Sequence, residues 1–305
     1  MIKDLCGRVV DNLRVSVTQR CNLQCFYCHK EGENYSAVRE MTPKEVERVV
    51  RIAIHQGIGK VKLTGGEPLL RSDIVEIVRR LASIPGLQEV AMTTNGILLR
   101  DLAGPLKEVG LARVNVSLGT LDPATYRQIT GVDAVNRVTK GILEAAIVGL
   151  SPIKVNMVLL KGMNDDAILT MIDFTRENGL ILQVIEYESP LPATEAYEQF
   201  HANLDIVEET LQKMAVQTVV RRMHKRRKYL LEGGGEVEIV RPMHNTTFCR
   251  SCRRLRITSD GKFKPCLFRN DNLVDFLTSI RDGASDVEIG ALLIEAVKRR
   301  TPYFT

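Results

Sequence analysis

Short apolar runs alternate with longer amphipathic stretches over the first two thirds of the chain. This rhythm predicts β-strands that alternate with α-helices and favours parallel βαβ units. Six strands are predicted, at residues 13–18, 60–64, 89–94, 113–118, 153–160 and 182–187. We therefore expect an α/β fold, built as a partial (β/α)6 barrel of the TIM type, in which functional residues collect after the carboxyl ends of the strands.

Helix boundaries in this region carry ordinary capping residues. Thr42 precedes Pro43 and stands three residues before Glu45, which is the pattern of a capping box at a helix start. Asp73 and Asp122 stand in the corresponding place before two further predicted helices. These boundaries agree with helices that connect successive parallel strands.

The strand and helix rhythm weakens after about residue 190. A helix is predicted at residues 204–214, followed by the basic run RRMHKRRK at residues 221–228, a triple-glycine turn at residues 233–235 and a strand at residues 237–241. The basic run fits a solvated face, the wall of an anion pocket or a nucleic-acid patch. We place a domain boundary near residue 220, so that residues 1–220 form the barrel and residues 221–305 form a smaller C-terminal domain.

The composition is that of a globular chain with a sizeable core. Hydrophobic residues make up 44% of the 305 residues, yet no charge-free apolar stretch is long enough to span a bilayer. The N-terminus has no apolar signal segment, so we expect a cytoplasmic protein without a membrane partner. The net charge of +5 does not by itself imply nucleic acid and is compatible with a polyanionic small substrate.

Three cysteines, Cys21, Cys25 and Cys28, directly follow the first predicted strand. So tight a set favours metal ligation over a disulfide framework. Four thiolates usually hold a 4Fe-4S cluster, so three predict a cluster with one iron open to a ligand. The alternatives are three buried apolar side chains or a zinc site completed by His29.

A second triplet, Cys249, Cys252 and Cys266, repeats this logic near the C-terminus. It predicts a second cluster with one open iron, and the alternative is a Cys3His zinc site that uses His244. Cys6 is left over and is expected to be a packing residue.

The stretch between Cys252 and Cys266 reads as a β-hairpin with Asp260-Gly261 at its turn. Strand alternation places Arg254 and Arg256 together on one face of this hairpin. Paired guanidinium groups match phosphate oxygens, so these arginines predict a site for a phosphorylated ligand.

The first triplet, with Tyr27 before its last cysteine, and the Gly-Gly-Glu-Pro turn at residues 65–68 resemble the radical S-adenosylmethionine (SAM) superfamily. In that superfamily the open iron chelates the amino and carboxylate groups of SAM, and electron transfer cleaves SAM to a 5′-deoxyadenosyl radical. The resemblance implies a radical SAM barrel, whose smaller C-terminal domain here would carry the second iron-sulfur cluster.

The two triplets together, with LRVSVTQRCN near the N-terminus and RLRIT and DGKFKPCLF near the C-terminus, resemble the MoaA family, the GTP 3′,8-cyclases of molybdenum cofactor biosynthesis. The resemblance implies two 4Fe-4S clusters, one held by each triplet. It implies that SAM is surrounded by Tyr27, Gly66, Thr93, Ser117 and Asn156. It also implies that GTP is bound by Arg14, Lys62, Lys154, Arg254 and Arg256, with Arg14 and Lys154 acting in catalysis as well.

In the reaction that this family resemblance implies, the 5′-deoxyadenosyl radical abstracts the ribose 3′ hydrogen of GTP and the C3′ radical adds to guanine C8. The product is 3′,8-cyclo-7,8-dihydroguanosine 5′-triphosphate. The implied partners are a flavodoxin- or ferredoxin-like electron donor and the cyclic pyranopterin monophosphate synthase that receives the product. A homodimer is compatible with the resemblance, and no nucleic acid is expected.

Several positions depart from the family pattern: Arg253, Gly119, Gln183, Glu188 and a C-terminus, TPYFT, that has no Gly-Gly tail. An alternative hypothesis is a radical SAM enzyme that modifies a peptide or protein and uses the second cluster as an auxiliary one. A third is a non-catalytic zinc or nucleic-acid-binding protein, which leaves the first triplet and the Gly-Gly-Glu-Pro turn unexplained.

Overall fold

One mixed β-sheet runs through the computed structural model, which describes residues 1–33, 39–189 and 195–305. In chain order the strands are β1 Asn12–Ser16, β2 Lys60–Thr64, β3 Glu89–Thr94, β4 Arg113–Ser117, β5 Lys154–Leu159, β6 Ile181–Glu186, β7 Ala215–Val220, β8 Arg227–Leu231, β9 Glu236–Val240, β10 Arg254–Ile257, β11 Lys262–Lys264 and β12 Val274–Asp275. Each of the six predicted barrel strands begins within one residue of its predicted start.

The helices pack around this sheet. They are α1 Pro43–His55, α2 Ile74–Ala82, α3 Leu99–Glu108, α4 Pro123–Thr130, α5 Val135–Ile147, α6 Ile168–Glu177, α7 Glu195–Phe200, α8 Leu204–Met214, α9 Thr246–Arg250, α10 Leu277–Arg281 and α11 Asp286–Lys298. Within the described ranges, none of them combines the length and the apolar character that crossing a bilayer would require.

Strands β1 to β6 lie side by side in chain order and run parallel, which confirms the predicted α/β fold with a partial (β/α)6 barrel. Such an order follows from right-handed βαβ connections, which place each helix on the outer face of the sheet. The buried apolar side chains of strands and helices form one continuous core. The barrel therefore has its helical layer outside and its strand-end loops free to build a site.

The C-terminal part of the chain adds strands to both edges of this barrel, which the sequence did not predict. Strand β10 pairs parallel with β1, and Arg256 lies opposite Arg14. At the other edge β9 pairs parallel with β6, and Glu238 lies opposite Gln183. Antiparallel neighbours, β11 with β12 and β8 with β7, continue the sheet on the two sides.

Local sequence signals account for some of the helix starts. The capping box predicted at Thr42 is present, with hydrogen bonds in both directions between Thr42 and Glu45. Asp73 differs, because its carboxylate pairs with the Arg71 guanidinium at 2.7 Å and makes no capping hydrogen bond. An arginine two residues away outcompeted the helix amides for this carboxylate.

The predicted hairpin between Cys252 and Cys266 is also present. Strands β10 and β11 are antiparallel, and Leu255 and Ile257 point into the core, where both are buried. Arg254 and Arg256 consequently share the opposite face, as strand alternation requires. This register directs the two guanidinium groups towards the inside of the barrel.

Candidate functional site

A cavity of about 1060 Å³ occupies the inside of the barrel. Its wall runs from strand starts, such as Asn12 and Lys60, to the loops that follow the strands, where Cys21 and Gly66 lie. Pockets for single ligands commonly measure about 300–1,000 Å³. The cavity is therefore large enough for a nucleotide together with a second small molecule.

The first cysteine triplet lies in the loop after β1, and all three thiols line this cavity. The backbone amides of Leu23 and Lys30 donate hydrogen bonds to the sulfur atoms of Cys21 and Cys28, each at 3.4 Å. Hydrogen bonds of this kind favour the thiolate, which is the form that binds metal. These two contacts oppose the effect of burial on the Cys21 and Cys28 thiols.

The pKa values of these thiols show what the triplet needs in order to ionise. Burial raises the pKa of Cys25 to about 12, and the neighbouring Cys28 and Cys21 thiols add to the increase. Burial also raises the pKa values of Cys21 and Cys28. A bound metal replaces the thiol protons, so this set of soft donors fits an iron-sulfur cluster held by three thiolates.

The Gly-Gly-Glu-Pro turn packs directly against the cysteine loop. The amide of Gly66 donates to the carbonyl of Thr18, and the amide of Glu67 donates to the carbonyl of Arg20, each at 2.7 Å. A Cβ atom at Gly66 would lie 2.2 Å from the Arg20 carbonyl oxygen. Only glycine permits this close approach between the two loops.

Glu67 was not predicted as a site residue, although it lies in the predicted motif. Its carboxylate accepts hydrogen bonds from the Thr94 hydroxyl at 2.7 Å and from the amides of Asn95 and Leu69 at 2.6 Å and 3.0 Å. Burial raises the pKa of Glu67 to about 6, against the opposing effect of these hydrogen bonds. Glu67 thereby ties the loop after β2 to the end of β3.

The structure brings all five residues predicted around SAM to the wall of the same cavity. They are Tyr27, Gly66, Thr93, Ser117 and Asn156. The Thr93 hydroxyl is buried and has no hydrogen-bond partner in the described part of the chain, and a bound ligand would satisfy it. Their grouping beside the first triplet agrees with the predicted cofactor site, and their individual roles stay predictions.

Four of the five cations predicted to bind the substrate line the cavity: Arg14, Lys62, Lys154 and Arg254. Lys62 donates to the Asn115 side-chain carbonyl at 2.8 Å. Neither Lys62 nor Arg254 has a carboxylate partner within residues 1–33, 39–189 and 195–305. Burial and neighbouring cations hold the pKa values of both groups well below their ordinary range.

Glu31 is one of the carboxylates that face these cations, and the sequence did not predict it. Its side chain accepts from the Thr64 hydroxyl at 2.8 Å, lies 3.6 Å from Arg14 and accepts a short hydrogen bond from Arg256. Burial alone would raise its pKa, but Arg14 and Arg256 outweigh burial and hold the pKa of Glu31 at about 2. Glu31 therefore joins the first cysteine loop to β1 and β10.

Glu238 on β9 is a further carboxylate beside these cations and was also not predicted. It is completely buried and accepts a hydrogen bond from Lys154 at 2.6 Å. Burial would raise its pKa, but Lys154, Arg226 and Arg221 outweigh burial and hold the pKa of Glu238 at about 2. Burial in turn lowers the pKa of Lys154 to about 8, against the opposing effect of Glu238.

The second cysteine triplet is not among the described residues that line this cavity, although Arg253 and Arg254, which follow Cys252, are. Cys249 belongs to α9, Cys252 follows it, and Cys266 comes directly after β11. Two arginines from distant parts of the chain hold the backbone here, since Arg8 donates to the Cys249 carbonyl at 2.9 Å and Arg300 donates to the Cys252 carbonyl at 3.0 Å. These supports could not be predicted, because neither arginine belongs to a cysteine motif.

Burial and nearby arginines set the pKa values of the thiols in the second triplet. Burial would raise the pKa of Cys252, but Arg300, a backbone amide and Arg254 outweigh it and lower that pKa. Burial raises the pKa of Cys266. Arg254 stands two residues after Cys252 and lines the cavity, so one side chain lies between the second triplet and the inside of the barrel.

Neither zinc alternative is assembled. In the part of the chain that the structure describes, no three His, Cys, Asp or Glu side chains are grouped so that they could hold a metal ion. The His29 ring accepts from the Glu31 amide, and the His244 ring packs 5.0 Å from the Phe304 ring. A single zinc ion needs all of its ligand atoms within about 2.0–2.3 Å of the metal. A 4Fe-4S cluster binds each thiolate through a different iron, so the three sulfur atoms of a triplet do not have to meet at one point.

Each of the four residues that depart from the family pattern has a defined contact or position in the structure. Arg253 pairs with Asp11, and the Gly119 carbonyl accepts from Asn164 at 3.0 Å. Gln183 donates a short hydrogen bond to Glu238, and Glu188 lines the cavity.

The last residues of the chain include two aromatic side chains that pack on a third. Tyr303 and Phe304 both contact the ring of Phe268, two residues after Cys266, at centroid distances of 5.1 Å and 5.9 Å. The C-terminal segment is thereby attached to the region of the second triplet.

Comparisons with known protein families divide the chain into two matched regions. A family model described as the radical SAM superfamily matches residues 15–175, and one described as Molybdenum Cofactor Synthesis C matches residues 180–305. The two matches together cover both cysteine triplets.

Similar curated proteins extend over the full chain. One from Thermococcus kodakarensis, named "Probable GTP 3′,8-cyclase", is 52% identical over 309 residues that cover 100% of both chains. Another of the same name, from Methanothermobacter thermautotrophicus, is 46% identical and covers 100% of this chain and 99% of its own.

Solved structures share the fold at low identity. SuiB of Streptococcus suis bound to S-adenosylmethionine superposes with a TM-score of 0.64 at 20% identity, over 85% of this chain and 60% of the SuiB chain. The enzyme anSMEcpe with bound AdoMet gives a TM-score of 0.64 at 16% identity, over 95% of this chain and 81% of its own. At such identities the superpositions report the architecture alone.

We predict that Gly66→Ala destabilises the protein. The added methyl group would meet the Arg20 carbonyl, so we expect the free energy of unfolding to fall by about 1–3 kcal/mol, measured by urea denaturation. Gly104→Ala is the matched control, since no atom lies within 4 Å of a Cβ at this helical position, and there we expect a gain of about 0.5–1 kcal/mol. Equal stability of the Gly66→Ala variant and the wild type would contradict the packing described.

We predict that Glu31 stabilises the fold in a pH-dependent way. Its pKa is about 2 in the folded chain, below the ordinary 4.5, so its contribution is present above pH 4.5 and is lost as the pH falls towards 2. The free energy of unfolding of Glu31→Gln should lie below that of the wild type at pH 7, and the two should converge in acid. Glu177→Gln, on an exposed residue, is the control, and a Glu31→Gln deficit that stays constant with pH would refute the assignment.

Proposed function

The chain belongs to the radical SAM superfamily, and from this premise we propose that it is a GTP 3′,8-cyclase. It would convert GTP to 3′,8-cyclo-7,8-dihydroguanosine 5′-triphosphate in molybdenum cofactor biosynthesis. The full-length relatives named as probable GTP 3′,8-cyclases and the match to Molybdenum Cofactor Synthesis C support this proposal.

The observation that carries the proposal is the uncompensated positive charge in the cavity. Lys62 and Arg254 reach the same cavity as the first cysteine triplet, and neither has a carboxylate partner among the described residues. An unpaired buried cation is costly unless an anion joins it. A nucleoside triphosphate supplies several negative charges at once, and arginine forks match its oxygens.

Superfamily membership implies one 4Fe-4S cluster and SAM. We propose that Cys21, Cys25 and Cys28 hold this cluster. When bound, the cluster supplies the electron that cleaves SAM to a 5′-deoxyadenosyl radical. The side chains proposed to surround SAM are Tyr27, Gly66, Thr93, Ser117 and Asn156, all of which line the cavity.

We propose a second 4Fe-4S cluster on Cys249, Cys252 and Cys266. The lowered pKa of Cys252 beside Arg300 and Arg254 supports metal ligation, because arginines nearby favour the thiolate. The division near residue 220 belongs to the same proposal, since residues 1–220 contain the first triplet and residues 221–305 contain the second.

In the proposed reaction the chain's own residues bind and orient the nucleotide. Lys62, Lys154 and Arg254 would hold the triphosphate, while Arg14 and Arg256 fix the position of Glu31 between β1, β10 and the cysteine loop. A substrate held at its phosphates keeps its ribose in one place relative to the cofactor. Such positioning can contribute a large part of the rate enhancement when a reaction joins two groups of one molecule.

The alternative of a peptide-modifying radical SAM enzyme is not favoured. SuiB bound to the precursor peptide SuiA shares only the fold with this chain, at 19% identity, and a cavity that contains several cations suits a polyanion better than a neutral peptide. The proposed partners are a flavodoxin- or ferredoxin-like electron donor and cyclic pyranopterin monophosphate synthase. The seven cysteines are unpaired, which supports a reducing cytosolic setting.

Iron analysis tests the proposal of two clusters. After anaerobic reconstitution we expect about eight irons per chain, and about four when Cys249, Cys252 and Cys266 are all replaced by serine. The chemical assay for iron and sulfide can be run on both proteins in parallel. Replacing the leftover Cys6 by serine is the control and should leave the iron content unchanged, whereas about four irons in the wild type would exclude a second cluster.

The proposed activity is tested by anaerobic incubation with SAM, a reductant and GTP. We expect GTP to stimulate the formation of 5′-deoxyadenosine, together with a cyclised nucleotide detected by mass spectrometry after separation from GTP. Arg254→Ala should weaken GTP binding by roughly ten- to a hundredfold, the effect of losing a charged hydrogen bond, and should leave GTP-independent SAM cleavage intact.

Arg250→Ala is the matched control, because Arg250 is exposed and lies in the same cysteine segment. Cleavage of SAM that GTP does not stimulate would argue for the peptide-modifying alternative. Unchanged GTP affinity in Arg254→Ala would remove Arg254 from the substrate site.

A further inference from the structure

The basic run at residues 221–228 spans the loop between β7 and β8 and the first two residues of β8, and we name it the basic connection. It is not simply a solvated segment: Arg221 and Arg226 line the barrel cavity, and His224 between them is buried. Arg227, in contrast, points away from the cavity towards Glu208 at 3.5 Å and has 56% of its side chain exposed. Arg222 also lines the cavity, so three arginines of the basic connection reach the cavity while Arg227 does not.

Arg221 and Arg226 meet Lys154 around one carboxylate. Glu238 forms ion pairs with Lys154 at 2.6 Å, with Arg226 at 3.5 Å and, through a short contact, with Arg221. The remaining polar neighbour, Gln183, is neutral. Three cations facing one carboxylate leave two positive charges uncompensated in this group.

Arg226 has unused hydrogen-bonding capacity at this position. Only 9% of its side chain is exposed, and its Nε is buried without a hydrogen-bond partner in the described residues. Its distance of 3.5 Å from Glu238 is too long for a good charged hydrogen bond. Buried N–H groups are normally satisfied, so an orphaned guanidinium N–H at a cavity wall indicates a missing acceptor.

We infer that Arg221 and Arg226 of the basic connection, positioned with Lys154 by Glu238, form a binding site for the terminal phosphates of the substrate. This inference rests on the proposed function for the identity of the nucleotide. The class of ligand does not depend on which nucleotide is the substrate, because these cations would bind any polyphosphate. The basic connection is then part of the substrate site rather than a nucleic-acid surface.

A purely structural role for these arginines is the competing explanation. On that view they only neutralise Glu238 and hold β8 and β9 together. Lys154 already provides Glu238 with a direct ionic hydrogen bond at 2.6 Å, so the carboxylate does not need two further cations. Arg221 is also 40% exposed, which is unusual for a cation that serves only to fill a core.

The test measures binding of inorganic tripolyphosphate, GTP and guanosine to the reconstituted full chain by anaerobic calorimetry or competition. We compare the wild type with Arg226→Gln and Arg221→Gln, two variants that keep a polar side chain and leave Glu238 paired with Lys154. Each is expected to bind tripolyphosphate and GTP about tenfold more weakly than the wild type. Affinity for guanosine, which has no phosphate, should not change.

Arg227→Gln is the matched control, because it removes the same charge from the same connection on the side that faces away from the cavity. It should bind all three ligands like the wild type. Wild-type affinity for tripolyphosphate in both Arg226→Gln and Arg221→Gln would overturn the inference. So would an equal loss in Arg227→Gln, or a loss of guanosine affinity as large as that of GTP.

The same measurements separate this inference from the proposed function. If tripolyphosphate binding depends on Arg226 but GTP neither binds nor stimulates SAM cleavage, the cyclase proposal fails while the polyphosphate site stands. If GTP is cyclised and its affinity is independent of both arginines, the cyclase proposal stands and the inference fails. Absence of tripolyphosphate binding in the wild type would also overturn the inference.

Discussion

Like charges that share a buried space repel one another, and several of the cations in this barrel share one cavity. Arg14, Lys62 and Arg254 reach it from strands β1, β2 and β10, and burial lowers the pKa of each. A protein that keeps such groups charged must supply counter-ions or bind them from solution. This constraint explains why the inside of the barrel is lined by polar side chains while the apolar core lies between the strands and the helices.

Glu31 and Glu238 reduce the repulsion, and each lies where distant segments of the chain meet. Glu31 belongs to the cysteine loop and reaches Arg256 on β10, while Glu238 belongs to β9 and reaches Lys154 on β5. A low pKa in both keeps them ionised over the whole neutral range. Repulsion between buried cations is therefore reduced near both edges of the barrel. Glu31, from the N-terminal part of the chain, acts near β1, and Glu238, from the C-terminal part, acts near β6.

The sequence predicted the features that depend on local pattern. Alternating apolar runs identified β1 to β6, and the capping residues at Thr42 were correct. The metal role that cysteine spacing assigns to the two triplets stays a prediction. The glycine turn at Gly66 was recognisable because close approach of two loops demands glycine. Hairpin chemistry also placed Arg254 and Arg256 on one face.

What the sequence could not predict depends on contacts between distant segments. Glu31 pairs with Arg256, 225 positions away, and Glu238 pairs with Lys154, 84 positions away. No sequence pattern around either glutamate predicts such a contact. Arg8 and Arg300 likewise reach the second triplet only through tertiary structure. The basic connection looked equally suited to three roles, because a run of charges does not reveal which of its members turn inwards.

The position of the C-terminal strands has a consequence for how the chain folds. Strands β9 and β10 complete opposite edges of the barrel, at β6 and at β1, although they are close together in sequence. During synthesis the six barrel strands emerge first, so both outer strands present unpaired backbone until the last quarter of the chain arrives. Exposed strand edges invite association between chains, and long-range pairing is slow, so the interval before closure is the period in which this protein is most exposed to aggregation.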